Sequence, residues 1–406
     1  MSAAGSGYVR RVRRDEARLW KGRPPLLTWL DLELTDRCNN ACIHCSVNRP
    51  AGDTAEKGRE MATAEVRALL EHAAGLGCLT VRLTGGEPLL RQDFAEIYLY
   101  ARRLGLRVMV FTNAALMTPV LADLLARVPP REPVEVSVYG LERATYEAVT
   151  GTPGSFDAAR RGLGLLADRH IPFFIKGALL PATAAESAAF EPWACALSGQ
   201  RRVAWVQFLD LRSRRDDESR NARIRALRLP PGEVRRRTAA LPAAEQDELR
   251  RFIAAHAALQ GDRLFGCLSA GGKGAVDAHG VFQYCLALRH PATVFDLKRG
   301  GLEKAVKEHW PAVRAMKSRN PEYLGRCGRC PLKAFCLQCP AKSWAEHGTL
   351  DTPVEYLCEV AHAQAAALGL LAGGERAWAV KDWDRRVGGP VPAGQDQRLG
   401  GQECGS

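Results

Sequence analysis

No stretch of eighteen consecutive apolar residues occurs in the 406-residue chain, and Met1–Arg14 is polar and basic with no apolar core behind it. The first absence argues against a hydrophobic helix long enough to span a bilayer, the second against a secretory signal. A cytoplasmic protein with no membrane partner is therefore expected. Acidic residues are in the minority: 45 Asp and Glu stand against 57 Lys and Arg, a formal net charge of +12. Such a surplus can suit nucleic acid or another acidic partner. It is local, however, collecting in an N-terminal arm (Arg10, Arg11, Arg13, Arg14, Arg18, Lys21, Arg23) and between Arg201 and Arg251, where Asp216, Asp217, Glu218 and Glu233 interleave with the arginines. The second stretch reads as a solvated helical face, and nucleic acid is not the expected partner.

What is present is an ordinary globular composition, 46% apolar and 25% charged, in a chain long enough for one large α/β domain and a smaller one. Strand-like runs at Trp29–Thr35, Leu79–Thr84, Arg107–Thr112, Val134–Val138, Pro172–Ala178 and Val203–Phe208 alternate with amphipathic stretches such as Ala62–Ala74 and Phe156–Ala167. That alternation predicts a mostly parallel sheet backed by helices, doubly wound or curled into part of a barrel, with ligands at the strand C-termini. Pro230-Pro231-Gly232 breaks the pattern ahead of an Ala/Arg/Glu-rich helical connector. Short turns, glycines and cysteines follow from Phe265, and a Gly/Pro/Gln-rich tail after Gly373 reads as disordered.

Thirteen cysteines fall into two groups with three outliers, Cys78, Cys195 and Cys404, which read as packed or tail thiols. Clustered thiols in a cytosolic chain point to metal or cluster binding rather than to disulfides. Cys38, Cys42 and Cys45 lie directly after the first strand. Spacings of three and two residues let one loop wrap three thiolates around an iron–sulfur cubane, leaving one iron open to a small molecule. A structural zinc ion would require a fourth, closing ligand, and His44, between two of the thiols, is poorly placed to be one.

Cys-x3-Cys-x2-Cys followed, after the next strand, by Gly85-Gly86-Glu87-Pro88 resembles the radical S-adenosylmethionine (SAM) superfamily. The resemblance implies a [4Fe–4S] cluster on the three cysteines, whose open iron is chelated by the amine and carboxylate of SAM. It implies that Gly85, Gly86, Glu87 and Pro88 hold the SAM amino group and that His44 lies near the adenine. Thr112-Asn113 resembles the family's Thr-Asn-Gly turn with Ala114 in place of glycine, and Ser137 matches a ribose-binding position; strand-end capping is the plainer role for Asn113 and Ser137. Cys267, Cys285, Cys327-x2-Cys330-x5-Cys336-x2-Cys339 and Cys358 resemble the SPASM extension of one branch of that superfamily. That extension implies two auxiliary [4Fe–4S] clusters, the nearer on Cys267, Cys285 and Cys339, the farther on Cys327, Cys330, Cys336 and Cys358. Two departures stand out: the last pair of the four-cysteine run is one residue closer than usual, and no cysteine lies between Leu268 and Tyr284. The nearer cluster is thus expected to have an open or non-cysteine fourth position, for Asp277, His279, water or a substrate thiolate.

The expected fold is accordingly a partial (β/α)6 TIM-like barrel with a small cysteine-rich C-terminal SPASM domain. Its divisions are a basic arm (1–25), the radical SAM barrel (26–215), a helical connector (216–262), the SPASM domain (263–370) and a disordered tail (371–406). The expected function is reductive cleavage of SAM to a 5′-deoxyadenosyl radical, hydrogen abstraction from a ribosomally made peptide, and oxidation of that peptide with the auxiliary clusters as electron acceptors. Flavodoxin or ferredoxin is the expected reductant. With about thirty residues ahead of the first strand, leader recognition is expected from a separate leader-peptide-binding protein or from the basic arm. Rival readings are a formylglycine-type sulfatase maturase, disfavoured because Leu286 rather than Asp follows Cys285, a small-molecule dehydrogenase or epimerase, and a non-catalytic iron–sulfur scaffold or nucleic-acid regulator. Asp210, Asp277, Tyr284 and Glu355 are weak acid–base candidates.

Overall fold

A computed structural model describes residues 27–257, 261–266 and 272–387. The basic arm, Cys267, Cys404 and the chain beyond 387 lie outside the described residues. Six strands, β1 (Trp29–Thr35), β2 (Thr80–Gly85), β3 (Arg107–Thr112), β4 (Val134–Ser137), β5 (Phe173–Ala178) and β6 (Ala204–Val206), pair in parallel in chain order. The order never reverses, so the chain winds in one direction, as a partial barrel requires and a doubly wound sheet does not.

Alternation within the strands explains the layering. In β1, Leu30, Leu32 and Leu34 are fully buried and belong to the core that Val66, Leu70 and Ile97 of the covering helices complete. Asp31, Glu33 and Thr35 point the opposite way and are buried too, so the second face is an enclosed polar interior, not a wet surface. Its charges pair across strands: Arg82 of β2 meets Asp31 at 2.5 Å, and Lys176 of β5 meets Glu135 of β4 at 3.1 Å.

The C-terminal part joins the same sheet. β7 (Lys273–Val276) adds in parallel to the free edge of β1, and β8 (Val281–Gln283) and β9 (Phe295–Asp296) extend it antiparallel, giving nine strands. Helices Glu218–Ala226, Pro231–Ala239 and Ala243–Ala255 lie between β6 and β7 in sequence. A second core forms around Ile253, Leu332, Phe335, Ala361, Ala365 and Leu368.

The expected disordered tail needs correcting for its described part. Residues 371–387 fold back on this second core, with Leu371, Ala377 and Trp383 buried in it. Burial of the Leu371 and Trp383 side chains, at ~1.5–3 kcal/mol each, contributes toward the cost of ordering this segment. Among the described residues, no helix is long and apolar enough to cross a membrane.

Candidate active site

The loop carrying Cys38, Cys42 and Cys45 leaves the C-terminal end of β1 and is fixed from several directions. Ala41 and Ile43 donate to the Thr150 and Val149 carbonyls at 2.8 and 2.9 Å. Arg212, 1% exposed, donates to the Ser46 and Val47 carbonyls at 3.1 and 2.8 Å, and Arg220 donates to the Asn48 carbonyl at 2.8 Å. Backbone N–H groups point at the sulfurs: Asn40 to Cys38 at 3.4 Å, Val47 and Asn48 to Cys45 at 3.5 and 3.4 Å. Such donors suit thiolates. Without a positive partner, burial pushes the Cys38 and Cys42 thiols well up, and neighbouring negative charge, Glu87 for Cys38 and Cys45 for Cys42, adds to the shift. A cationic iron–sulfur group is what this donor set fits, since it removes the penalty that the bare thiolates carry.

β1 and β2 carry the next layer. A Cβ on Gly85 would stand 2.1 Å from the Thr35 carbonyl oxygen and one on Gly86 2.3 Å from that of Arg37. Only glycine permits this approach, which lets Gly86 N–H and Glu87 N–H donate to Thr35 and Arg37 at 2.7 and 2.9 Å. Glu87 is fully buried, accepting from Thr112 Oγ1 and Asn113 N at 2.8 Å and from Leu89 N at 3.0 Å; Pro88 opens the turn behind it. Asn113 Nδ2 in turn donates to Asn39 Oδ1 at 2.9 Å and lies 3.8 Å from Cys38 Sγ. Ala114 adopts φ 58°, so alanine here holds the left-handed conformation that glycine adopts freely. Glu87, Asn113 and Cys38 therefore form one connected unit.

His44 is half-buried, edge-on to Tyr139 with ring centroids 4.8 Å apart, and desolvation lowers its pKa to about 4. Ser137, at the end of β4, lies beside the Tyr139 side chain. His44 Nδ1, both amide atoms of Asn40 and the Tyr146 hydroxyl are buried with no hydrogen-bond partner among the described residues. Orphaned polar atoms beside the cysteine loop are what a missing polar ligand leaves behind.

In the C-terminal part, Cys327, Cys330, Cys336 and Cys358 line one small cavity together with Arg326, Lys333, His362 and Trp378. Burial pushes the Cys327 and Cys330 thiols up to about 11 and about 12. Gln338 N donates to Cys336 Sγ at 3.4 Å, and Arg326 reaches Cys358 Sγ at 3.7 Å. Cys339 does not line this cavity. Leu337, at φ 58°, ends the helical turn Lys333–Cys336 and sends the next residues elsewhere. Cys285 and Cys339 pack instead against the main core. The four cavity thiols and their N–H donor fit a second cluster.

The acid–base candidates scatter. Asp277 is buried with Oδ1 accepting from His279 N and Val281 N at 3.0 Å and Oδ2 from Arg289 at 2.8 Å; His279 Nε2 faces Glu56 at 2.5 Å. Both side chains are engaged by these partners. Tyr284 is packed between Phe265 and Trp310. Glu355 pairs with Arg326 at 2.6 Å, which holds its carboxyl below the usual range. Asp210 pairs with Lys342 but keeps Oδ2 buried without a hydrogen-bond partner. Sequence reasoning missed Asn40, Tyr139, Arg212, Arg220, Lys333 and His362. For the two arginines the stretch from Arg201 to Arg251 misled: part of it is inside, gripping the cysteine loop, and is no solvated face.

Residues 32–184 match the profile of the radical SAM superfamily. The chain is 28% identical to an AdoMet-dependent heme synthase of Methanosarcina barkeri, over 80% of this chain and 93% of that protein. It is 35% identical to a PqqA peptide cyclase of Xanthomonas euvesicatoria, over only 38% of this chain and 41% of that one. In structure it resembles Streptococcus suis SuiB bound to S-adenosylmethionine, with a TM-score of 0.57, 16% identity, and 82% of this chain and 75% of that chain covered. The same protein bound to precursor peptide SuiA gives a TM-score of 0.57 at 15% identity, covering 80% and 74%.

Proposed function

We propose that this chain, whose residues 32–184 match the radical SAM superfamily, is an enzyme of that class and oxidatively modifies a ribosomally made peptide. A [4Fe–4S] cluster with SAM supplies, when bound, an electron that breaks the sulfonium C–S bond and yields a 5′-deoxyadenosyl radical able to take a hydrogen atom. Cys38, Cys42 and Cys45 are the residues to hold that cluster; Glu87, braced by Thr112 and Asn113, is the group to orient the SAM amine. His44, uncharged at neutral pH because burial lowers its pKa to about 4, offers a flat apolar face to the adenine with Tyr139 behind it. Cys327, Cys330, Cys336 and Cys358 are proposed to hold an auxiliary cluster as electron acceptor, and Cys285 and Cys339, with Cys267, another. Asp210 is the favoured proton acceptor of the four candidates, being the one with an unpartnered buried carboxylate oxygen.

The observation carrying this reading is the linked unit of Cys38, Asn113 and Glu87, which ties the three-cysteine loop to the glycine pair. Anaerobically reconstituted and reduced protein should convert SAM to 5′-deoxyadenosine, and the Cys38→Ala/Cys42→Ala/Cys45→Ala variant should not. Equal conversion by both, or none by the parent, overturns it.

A second reading rests on the heme synthase relative, whose similarity runs along most of both chains while that to the peptide cyclase is confined to about two-fifths of each. On it the substrate is a tetrapyrrole. Substrate-dependent stimulation of SAM cleavage by an iron tetrapyrrole but by no peptide would favour this second reading.

A further inference from the structure

Three segments remote in sequence meet outside the cysteine sites. Asp36 lies between β1 and Cys38, Glu56 sits in the one-turn helix Thr54–Lys57, and His279 lies in the turn joining β7 to β8. Each offers one ligand atom, and the three atoms lie within 4.8 Å of one another. Asp36 is fully buried and Glu56 is 3% exposed. Asp36 Oδ2 pairs with Arg214, but Asp36 Oδ1 is buried with no hydrogen-bond partner among the described residues. Glu56 Oε2 accepts from Arg59 at 2.6 Å, while Oε1 is held 2.5 Å from His279 Nε2.

The three residues sit inside a network of buried ion pairs. Around this point Glu33, Asp36, Glu56, Glu60 and Asp277 are paired by Arg37, Arg59, Arg214 and Arg289.

We propose that Asp36, Glu56 and His279 bind one divalent first-row cation of the Mn2+ or Zn2+ class. Two carboxylates and an imidazole, with no thiolate, make a donor set that suits such ions rather than a cluster. Ligands at ~2.0–2.2 Å on opposite sides of an ion stand about 4 Å apart, so the observed spread closes on an ion with movements below about 1 Å. The ion would tie the β7–β8 turn to the backbone between Thr35 and Cys38, the same backbone that accepts from Gly86 and Glu87. It is thereby a clamp between the C-terminal part and the SAM-binding face.

The test is a titration of reconstituted holoprotein, freed of loose divalent ions by gel filtration, with manganese(II) chloride under anaerobic conditions. The free-ion EPR signal reads binding. Manganese is the probe because it competes poorly for thiolates. One equivalent should bind to the parent, and His279→Ala and Asp36→Asn should each weaken binding at least tenfold with iron content unchanged. His279 is partly exposed, its side chain 17% accessible, so its truncation leaves the fold intact; should Asp36→Asn lose iron, His279→Ala alone decides. No stoichiometric binding to the parent, or undiminished binding to His279→Ala, overturns the proposal.

Discussion

Gly162 and Gly164 lie two residues apart in the helix Ser155–Asp168, and replacing each by alanine should have opposite effects. A Cβ at position 162 would stand 2.0 Å from the Ala114 carbonyl oxygen and 3.0 Å from the Ala114 Cβ; at position 164 it would meet nothing within 4 Å. To restore a contact of about 3.5 Å, the Ala114 turn must retreat by about 1.5 Å. That turn is not free to move, because Asn113 N, one residue back, holds Glu87 at 2.8 Å. Overpacking costs about 1–3 kcal/mol, and losing a hydrogen bond to a charged group about 1.5–3 kcal/mol. The better helix propensity of alanine returns about 1 kcal/mol. Gly162→Ala should therefore lose about 2–4 kcal/mol, while Gly164→Ala should gain about 0.5–1 kcal/mol. Urea unfolding of both variants and the parent measures the difference, and 5′-deoxyadenosine formation reports whether the Glu87 mooring has shifted. Equal stability of the two variants would refute the claim that the Ala114 turn is clamped between this helix and Glu87.

Burial pushes the Glu87 carboxyl up from 4.5 to about 7. The fold then favours the protonated form, so this contribution to stability is fully present below about pH 4.5 and is lost as the pH rises through 7. Between pH 5 and pH 8 the stability of Glu87→Gln relative to the SAM-free parent should rise by up to about 3 kcal/mol, and a gap that is the same at both values refutes the assignment. Lys333, 5% exposed, puts an ammonium among Cys327, Cys336, Cys339 and Cys330. Replacing it by methionine removes a charge worth about 1–2 kcal/mol to an added electron at an effective dielectric near 20, so a cluster potential should fall by roughly 50–100 mV in an EPR-monitored redox titration. An unchanged set of potentials would show that no cluster lies beside this side chain.

How much of this was legible depended on how local each interaction is. Trp29–Thr35 and Arg107–Thr112 emerge in the structure with the bounds their alternation implies, because a leucine or valine at every second position specifies a strand by itself. The Cys38 motif stands out in the sequence for the same reason, its three thiols lying within one short stretch of chain. β7 was not: Lys-Gly-Ala-Val carries no signal of its own, and it becomes a strand by finding the open edge of β1. Arg212 and Arg220 looked like solvated charge because nothing in their neighbourhood announces that their partners are carbonyls some 165 residues away. Trp383 was hidden by glycine-rich surroundings, although it is among the buried residues of the second core. The division between Cys336 and Cys339 turns on the left-handed backbone at Leu337, which no spacing rule encodes.

The parallel pairing of β7 with β1 also bears on dissection of the chain. Removing everything beyond the helix Ala243–Ala255 would uncover the hydrogen-bonding edge of the strand that leads into the cysteine loop. Exposed edges of this kind recruit other chains, so a truncated barrel fragment is expected to self-associate rather than behave as an autonomous catalyst, and any redox duty of the C-terminal part is inseparable from its duty as a shield.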